Sequence, residues 1–158
     1  MSTNESTDAV DVNAPAAKWI LIADEKSTEQ QALMTSLRSL AVRNPIRHVL
    51  DGHEAIRYLN GDSPFSDLLA HPFPAILFLS LNLRVVSGRD VLEWLTLVSG
   101  KRDSNVFVYA DPLTVAQVQS AYALGADFVF RRPADELGLV NLIHLFPRHW
   151  EFAPEHDA

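Results

Sequence analysis

The chain has 158 residues, 47% of them apolar and 21% charged, with a formal net charge of -7 and no cysteine. That length and composition suit one domain with a real core, and the missing thiols exclude disulfides, thiolate-bound zinc and cysteine nucleophiles. The acidic balance repels a polyanion, and only the short Arg131-Arg132 pair opposes it, so nucleic acid is not an expected partner.

Met1 to Ala17 is rich in Ser, Thr, Asn, Asp and Ala and lacks both a basic start and an apolar run. It reads as a disordered leader (1–17) ahead of a folded domain (18–147) and a C-terminal tail (148–158), not as a secretory signal. Apolar stretches elsewhere fall far short of the roughly 20 residues of a membrane span. A cytoplasmic protein without a membrane partner is expected.

Trp19 to Ala23 is a continuous apolar run, as in a strand covered on both faces, and it ends in Asp24-Glu25. Ser27 begins a helix whose Leu33, Leu37, Leu40 and Ala41 recur at helical spacing; Pro45 predicts its end near Asn44. Ile46 to Leu50 is a second strand. After the Asp51-Gly52 turn, Ala55, Ile56 and Leu59 mark a short helix closing at Asn60-Gly61. Asp62 to Pro74 carries Pro64, Pro72 and Pro74 without periodicity and predicts a long surface loop.

Ala75 to Leu79 is the third strand, and Val91, Leu92, Leu95 and Val98 predict the buried side of the helix after Gly88. Asn105 to Tyr109 is the fourth strand. Pro112 suits a helix start, and Val115, Val118 and Tyr122 repeat at helical spacing up to Gly125. Asp127 to Arg131 is a fifth strand, and Asp135 to Phe146 a last helix. This alternation predicts an α/β fold, a doubly wound five-stranded parallel sheet of order 2-1-3-4-5 in the flavodoxin-like manner. The ends of the first and third strands then meet at the topological switch point, which brings Asp24, Glu25 and Ser80 together.

Several separated motifs carry a resemblance. Asp24-Glu25, the segment Ile76 to Leu83 with Asn82 and then Gly88, Tyr122 to Asp127, and Arg132-Pro133 fall in the order seen in response-regulator receiver domains. Asp51 to Leu59, with the proline-bearing loop after it, is most similar to small stand-alone receivers of phytochrome-type sensor kinases. In that family an aspartate at the position of Ser80 accepts phosphate, and an acidic pair with that aspartate holds magnesium.

The departures from the family pattern shape the expected function. Ser80 removes the nucleophile and one metal ligand together. The resemblance implies a small hydroxyl residue where Tyr109 stands, an aromatic switch residue where Val129 stands, and lysine where Arg132 stands. Large and small residues at 109 and 129 thus exchange places, an arrangement expected to conserve volume and abolish the switch. Asp24, Glu25 and Arg132 leave one uncompensated negative charge where the family's set leaves two, and Arg132 can fork across a carboxylate. No cofactor is expected; Asp24 and Glu25 are what remains for magnesium, which is not expected to bind.

Simpler roles stand beside these. Asp24-Glu25 also suits the start of a helix, and Ser80 suits a passive small residue. The six histidines show no metal-ligand spacing and read as surface or loop residues. Ser80 lacks a Gly-x-Ser-x-Gly turn, no Gly-x-Gly-x-x-Gly or P-loop follows a strand, and Asp24-Glu25-Lys26 would repel the phosphate of a flavin. An enzyme is not expected.

The expected function is therefore a phosphorylation-independent receiver acting as an interaction module in bacterial two-component-type signalling, with a signalling protein such as a sensor kinase as partner. The alternative keeps regulation at the site, by metal or by serine phosphorylation of Ser80. The last helix is apolar around much of its circumference. A homodimer through the face of the fourth helix, fifth strand and last helix is expected, with Val129, Leu139, Leu142 and Phe146 in the interface. The competing expectation is that the tail, through Trp150 and Phe152, folds back over that face.

Overall fold

The computed structural model describes residues 17–99, 103–131 and 135–154. The apolar runs become β1 (Ile20–Ala23), β2 (Ile46–Val49), β3 (Ile76–Ser80), β4 (Asn105–Ala110) and β5 (Phe128–Arg131). Between them lie α1 (Ser27–Ser39), α2 (Gly52–Asn60), α3 (Gly88–Trp94) and α4 (Val115–Ala123), with α5 (Glu136–Leu145) last. Among the described residues the strands form one parallel sheet of order β2-β1-β3-β4-β5, the doubly wound topology expected from the alternation.

Successive strand residues point to opposite faces, so the sheet separates two cores. Leu21, Leu77, Leu79, Val106, Val108 and Val129 face α2, α3 and α4. Ile20, Ile22, Ile76, Phe78, Phe107 and Tyr109 face α1 and α5, where Leu33, Leu37, Leu139 and Leu142 cover them. The leader, up to residue 16, lies outside the described residues. Among the described residues no helix is long and apolar enough to cross a membrane.

Three helices depart from the sequence pattern. α1 stops at Ser39, ahead of the expected end near Asn44. Ala41 takes φ +67°, Val42 N–H donates to Leu37 O and Ala41 N–H to Arg38 O, the paired bonds of a Schellman motif. Val42 and Leu37, both fully buried, make its apolar contact, and that burial holds an alanine where glycine is usual. α3 continues as a π-helical segment, Leu95–Ser99. Its wider turn breaks the 3.6-residue phase, and Val98, expected inside, is 66% exposed. α4 starts at Val115, after Pro112, behind a capping box in which Thr114 Oγ accepts from Gln117 N–H and the Gln117 side chain accepts from Thr114 N–H. Its expected stripe is largely outside: Val115 and Tyr122 are exposed, and Ala121 is the buried contact.

The segment after α5 is a docked strap. Arg43 N–H donates to Glu151 O, Ala153 N–H to Ala41 O, and Val42 pairs antiparallel with Phe152. Buried Asn44 clamps it, donating to Lys18 O and His149 O and accepting from Glu151 N–H. The Trp150 indole stacks on Phe107 at 6.2 Å and 7° and donates to Phe146 O. The strap thus covers the α1–β2 corner and the end of α5. His149, expected at the surface, is a buried residue of this strap.

Two outcomes follow from the strap. Trp150→Ala should destabilise the protein by about 3–5 kcal/mol, the usual range for emptying a buried aromatic site, as read from denaturant midpoints. Burial first, then the neighbouring Arg148 and Lys18 charges, hold the His149 pKa below its ordinary value. The unfolded chain therefore takes up this proton before the native one, and the His149 contribution to stability is lost as pH falls through about 6.5 toward the folded value. His149→Gln should remove that part of the slope in denaturant midpoints measured across this range.

Candidate functional site

The register decides what meets at the C-terminal edge of the sheet. Ala23 pairs with Leu79 and Ser80 with Tyr109, so Asp24, Ser80 and Tyr109 follow one another across β1, β3 and β4. All three are buried, Asp24 and Ser80 completely. Asp24 Oδ1 accepts from Lys26 N–H at 3.0 Å, which turns the chain into α1, and Oδ2 accepts from the Tyr109 hydroxyl at 2.8 Å. Gln30 Nε2 donates to Asp24 O and Val49 O, tying the ends of β1 and β2. Ser80 Oγ accepts from Asn82 N–H.

Glu25 does not join this cluster. Its carboxylate lies 3.7 Å from Arg84 Nε, a solvent-exposed pair worth only ~0–1 kcal/mol. Asn82 is exposed and contributes its main-chain N–H. Arg132, expected to compensate the acids, lies outside the described residues.

The exchange expected between positions 109 and 129 is not how the space is filled. Val129 pairs with Val108 and faces α4, whereas Tyr109 pairs with Phe130 and faces α1 and α5. Ser80 and Tyr109 are neighbours across β3 and β4, and the tyrosine hydroxyl extends to Asp24. The Tyr109 ring stacks on Phe130 with centroids 5.3 Å apart and 21° between planes. The sequence reading missed both contacts, although the period-two alternation from Tyr109 to Phe107 and from Phe130 to Phe128 carries their signal.

The connection from β3 to α3 is pressed onto the site. A Cβ on Gly88 would lie 2.0 Å from Ser80 O, and one on Gly52 would lie 1.8 Å from Val86 O. Val86 N–H and Gly52 N–H both donate to Arg84 O. This forms a γ-turn around Val85, which takes φ +69° and is 80% exposed, a strained conformation for a β-branched residue.

The expected interface residues are mostly core. Leu139 and Leu142 are buried because they face the sheet, Val129 because it faces α4 from β5, and half-buried Phe146 packs on Phe107 and Phe128. Leu137, Leu145, Val115 and Tyr122 are the exposed apolar residues of α5 and α4.

The donor set does not fit a hard divalent ion. Such ions take six or more oxygens, whereas both Asp24 oxygens are engaged, Glu25 turns to Arg84 and Ser80 supplies no carboxylate. Among the described residues no group of three His, Cys, Asp or Glu side chains could hold a metal. Ser80, fully buried, is also not presented to a serine kinase.

No protein-family model and no curated protein matches the chain. Solved structures match its fold. The response regulator in red light signaling of R. palustris superposes with TM-score 0.74 at 22% identity, covering 87% of this chain and 99% of that one. The bacteriophytochrome response regulator RtBRR gives 0.77 at 24%, with coverage of 89% and 84%. The phosphorylated cyanobacterial phytochrome response regulator RcpA gives 0.71 at 21%, with 85% and 94%. The chain has the receiver fold of response regulators.

Tyr109→Phe should cost about 1–3 kcal/mol, because it withdraws a donor from a buried carboxylate; thermal and denaturant unfolding read it directly. Gly88→Ala should fail to fold, since its Cβ meets main-chain atoms that cannot yield.

Proposed function

We propose that this chain is a receiver-fold interaction module of two-component-type signalling, cytoplasmic and without catalysis of its own, whose state is not set by phosphorylation. The observation that carries the proposal is the Tyr109 hydroxyl on Asp24 at 2.8 Å, above a fully buried Ser80. An acceptor site needs a nucleophile at the end of β3, carboxylates free for a cation and space for a phosphoryl group. Serine replaces the nucleophile, Asp24 is engaged on both oxygens, and the tyrosine ring takes the space.

The partner is a signalling protein of the sensor-kinase class, by analogy with the phytochrome response regulators that share the fold. Exposed Val115 and Leu137, 74% and 70% accessible, support a homodimer through the α4–β5–α5 face, to which buried Val129, Leu139 and Leu142 do not contribute. Light scattering of the full chain at tens of micromolar, roughly the range that populates a modest interface, should give a dimer, and Leu137→Glu a monomer. A monomeric wild type overturns that part.

Incubation with a small phosphodonor and magnesium should leave the intact mass unchanged. A stoichiometric acid-labile adduct would refute the proposal. Ser80→Asp alone should not acquire the adduct, because Tyr109 still fills the site, and magnesium titrated into the wild type should give no saturating isotherm.

A further inference from the structure

The Tyr109 side chain has two ends with different neighbours. Its hydroxyl donates to Asp24 at the C-terminal edge of the sheet, and its ring lies on Phe130 of β5. Phe130 in turn meets Phe78 edge-on and forms part of a groove of about 250 Å³ between β5 and α5, with Phe128, Arg131, Asp135, Gly138 and Asn141. Phe130 is half-buried, so one side belongs to the core and the other reaches this groove. Val129, its neighbour in sequence, faces α4 and takes no part.

We propose that Tyr109 is a latch joining the buried Asp24 carboxylate to the β5–α5 groove, so that the groove geometry is set by a permanent hydrogen bond inside the chain. The inference rests on the reading of the site as closed to phosphorylation, and it adds where the closed state is displayed. Two flat rings held 5.3 Å apart at 21° share their orientation, and Phe78 packs edge-on against Phe130, so a shift of one ring is felt by the other. The hydroxyl lies on the long axis of the Tyr109 ring, so its bond to Asp24 fixes the direction and position of that axis, while the plane of the ring follows the stacked Phe130. Releasing that hydroxyl frees the pair, and Phe130 carries the change to the groove. The coupling is a free energy between two ends and acts in both directions.

Backbone amide resonances of the full chain test it. Gly138 and Asn141 line the groove from α5. Tyr109→Phe, which removes one oxygen and keeps the ring, should shift their amides more than those of Ala55 and Leu59, buried on the opposite face of the sheet. In a Phe130→Leu background, or Phe130→Met should leucine not fold, Tyr109→Phe should have no further effect at Gly138 and Asn141. Unmoved groove amides in Tyr109→Phe, or an equal effect in both backgrounds, would overturn the latch. The phosphodonor experiment reads the underlying proposal separately: an adduct on the wild type removes the closed site, whereas unchanged mass with unmoved amides removes the latch alone.

Discussion

A carboxylate cut off from solvent is costly unless donors replace the water it has lost, and an ionised one costs several kcal/mol even after the surroundings relax. Asp24 is such a group, fully buried at the point where the strand order reverses. Its donors come from the chain: Lys26 N–H on one oxygen and the Tyr109 hydroxyl on the other. The first bond directs the entry into α1. The second fixes Tyr109 and, through the stacked ring, Phe130. Ser80 is the neighbour of Tyr109 across β3 and β4, so the small residue and the large one share this edge of the sheet.

The two faces of the sheet are packed differently, and the difference follows from side-chain size. On the α1–α5 face Phe78, Phe107, Tyr109 and Phe130 make a continuous aromatic layer that Trp150 closes from the strap. On the other face α4 contributes Ala121 as its buried residue, and a cavity of about 400 Å³ opens between it and the β3–α3 connection, lined by Leu81, Ser87, Arg89 and Ser120. Large rings fill the α1–α5 face; on the other face α2 and α3 bury Tyr58, Leu59, Val91 and Leu92, and it is α4 that is lightly held. Local opening should concentrate where few apolar contacts are buried, which places it at α4.

Strand runs, their alternation with helices and the meeting of Asp24 with Ser80 were legible because they depend on apolar periodicity and on a topology with few alternatives. What was not legible depends on long-range burial. Ala41 adopts a glycine-like conformation because Val42 is drawn into the core and pairs with Phe152, far along the chain. His149 looked like a tail residue because nothing local announces that Asn44 will clamp it. Leu139 and Leu142 read as interface residues because an apolar helix shows how many of its faces are apolar but not which one meets the sheet. A volume exchange between Tyr109 and Val129 fails on parity: adjacent strands in this register put Tyr109 beside Phe130.

Under the proposed reading, that parity also means that the site is more than one substitution away from an acceptor. Aspartate at position 80 would place a second carboxylate next to Asp24 in a space the tyrosine ring already occupies, and two like charges in a buried site raise each other's cost of ionisation. Removing the ring alone would open a cavity at the end of β4 and leave Phe130 without its stacking partner. Only the paired change restores both space and charge, while Glu25 would still have to leave Arg84. The closed arrangement is thus held by mutually dependent contacts, each supporting the next from Ser80 to Asp24, Tyr109 and Phe130.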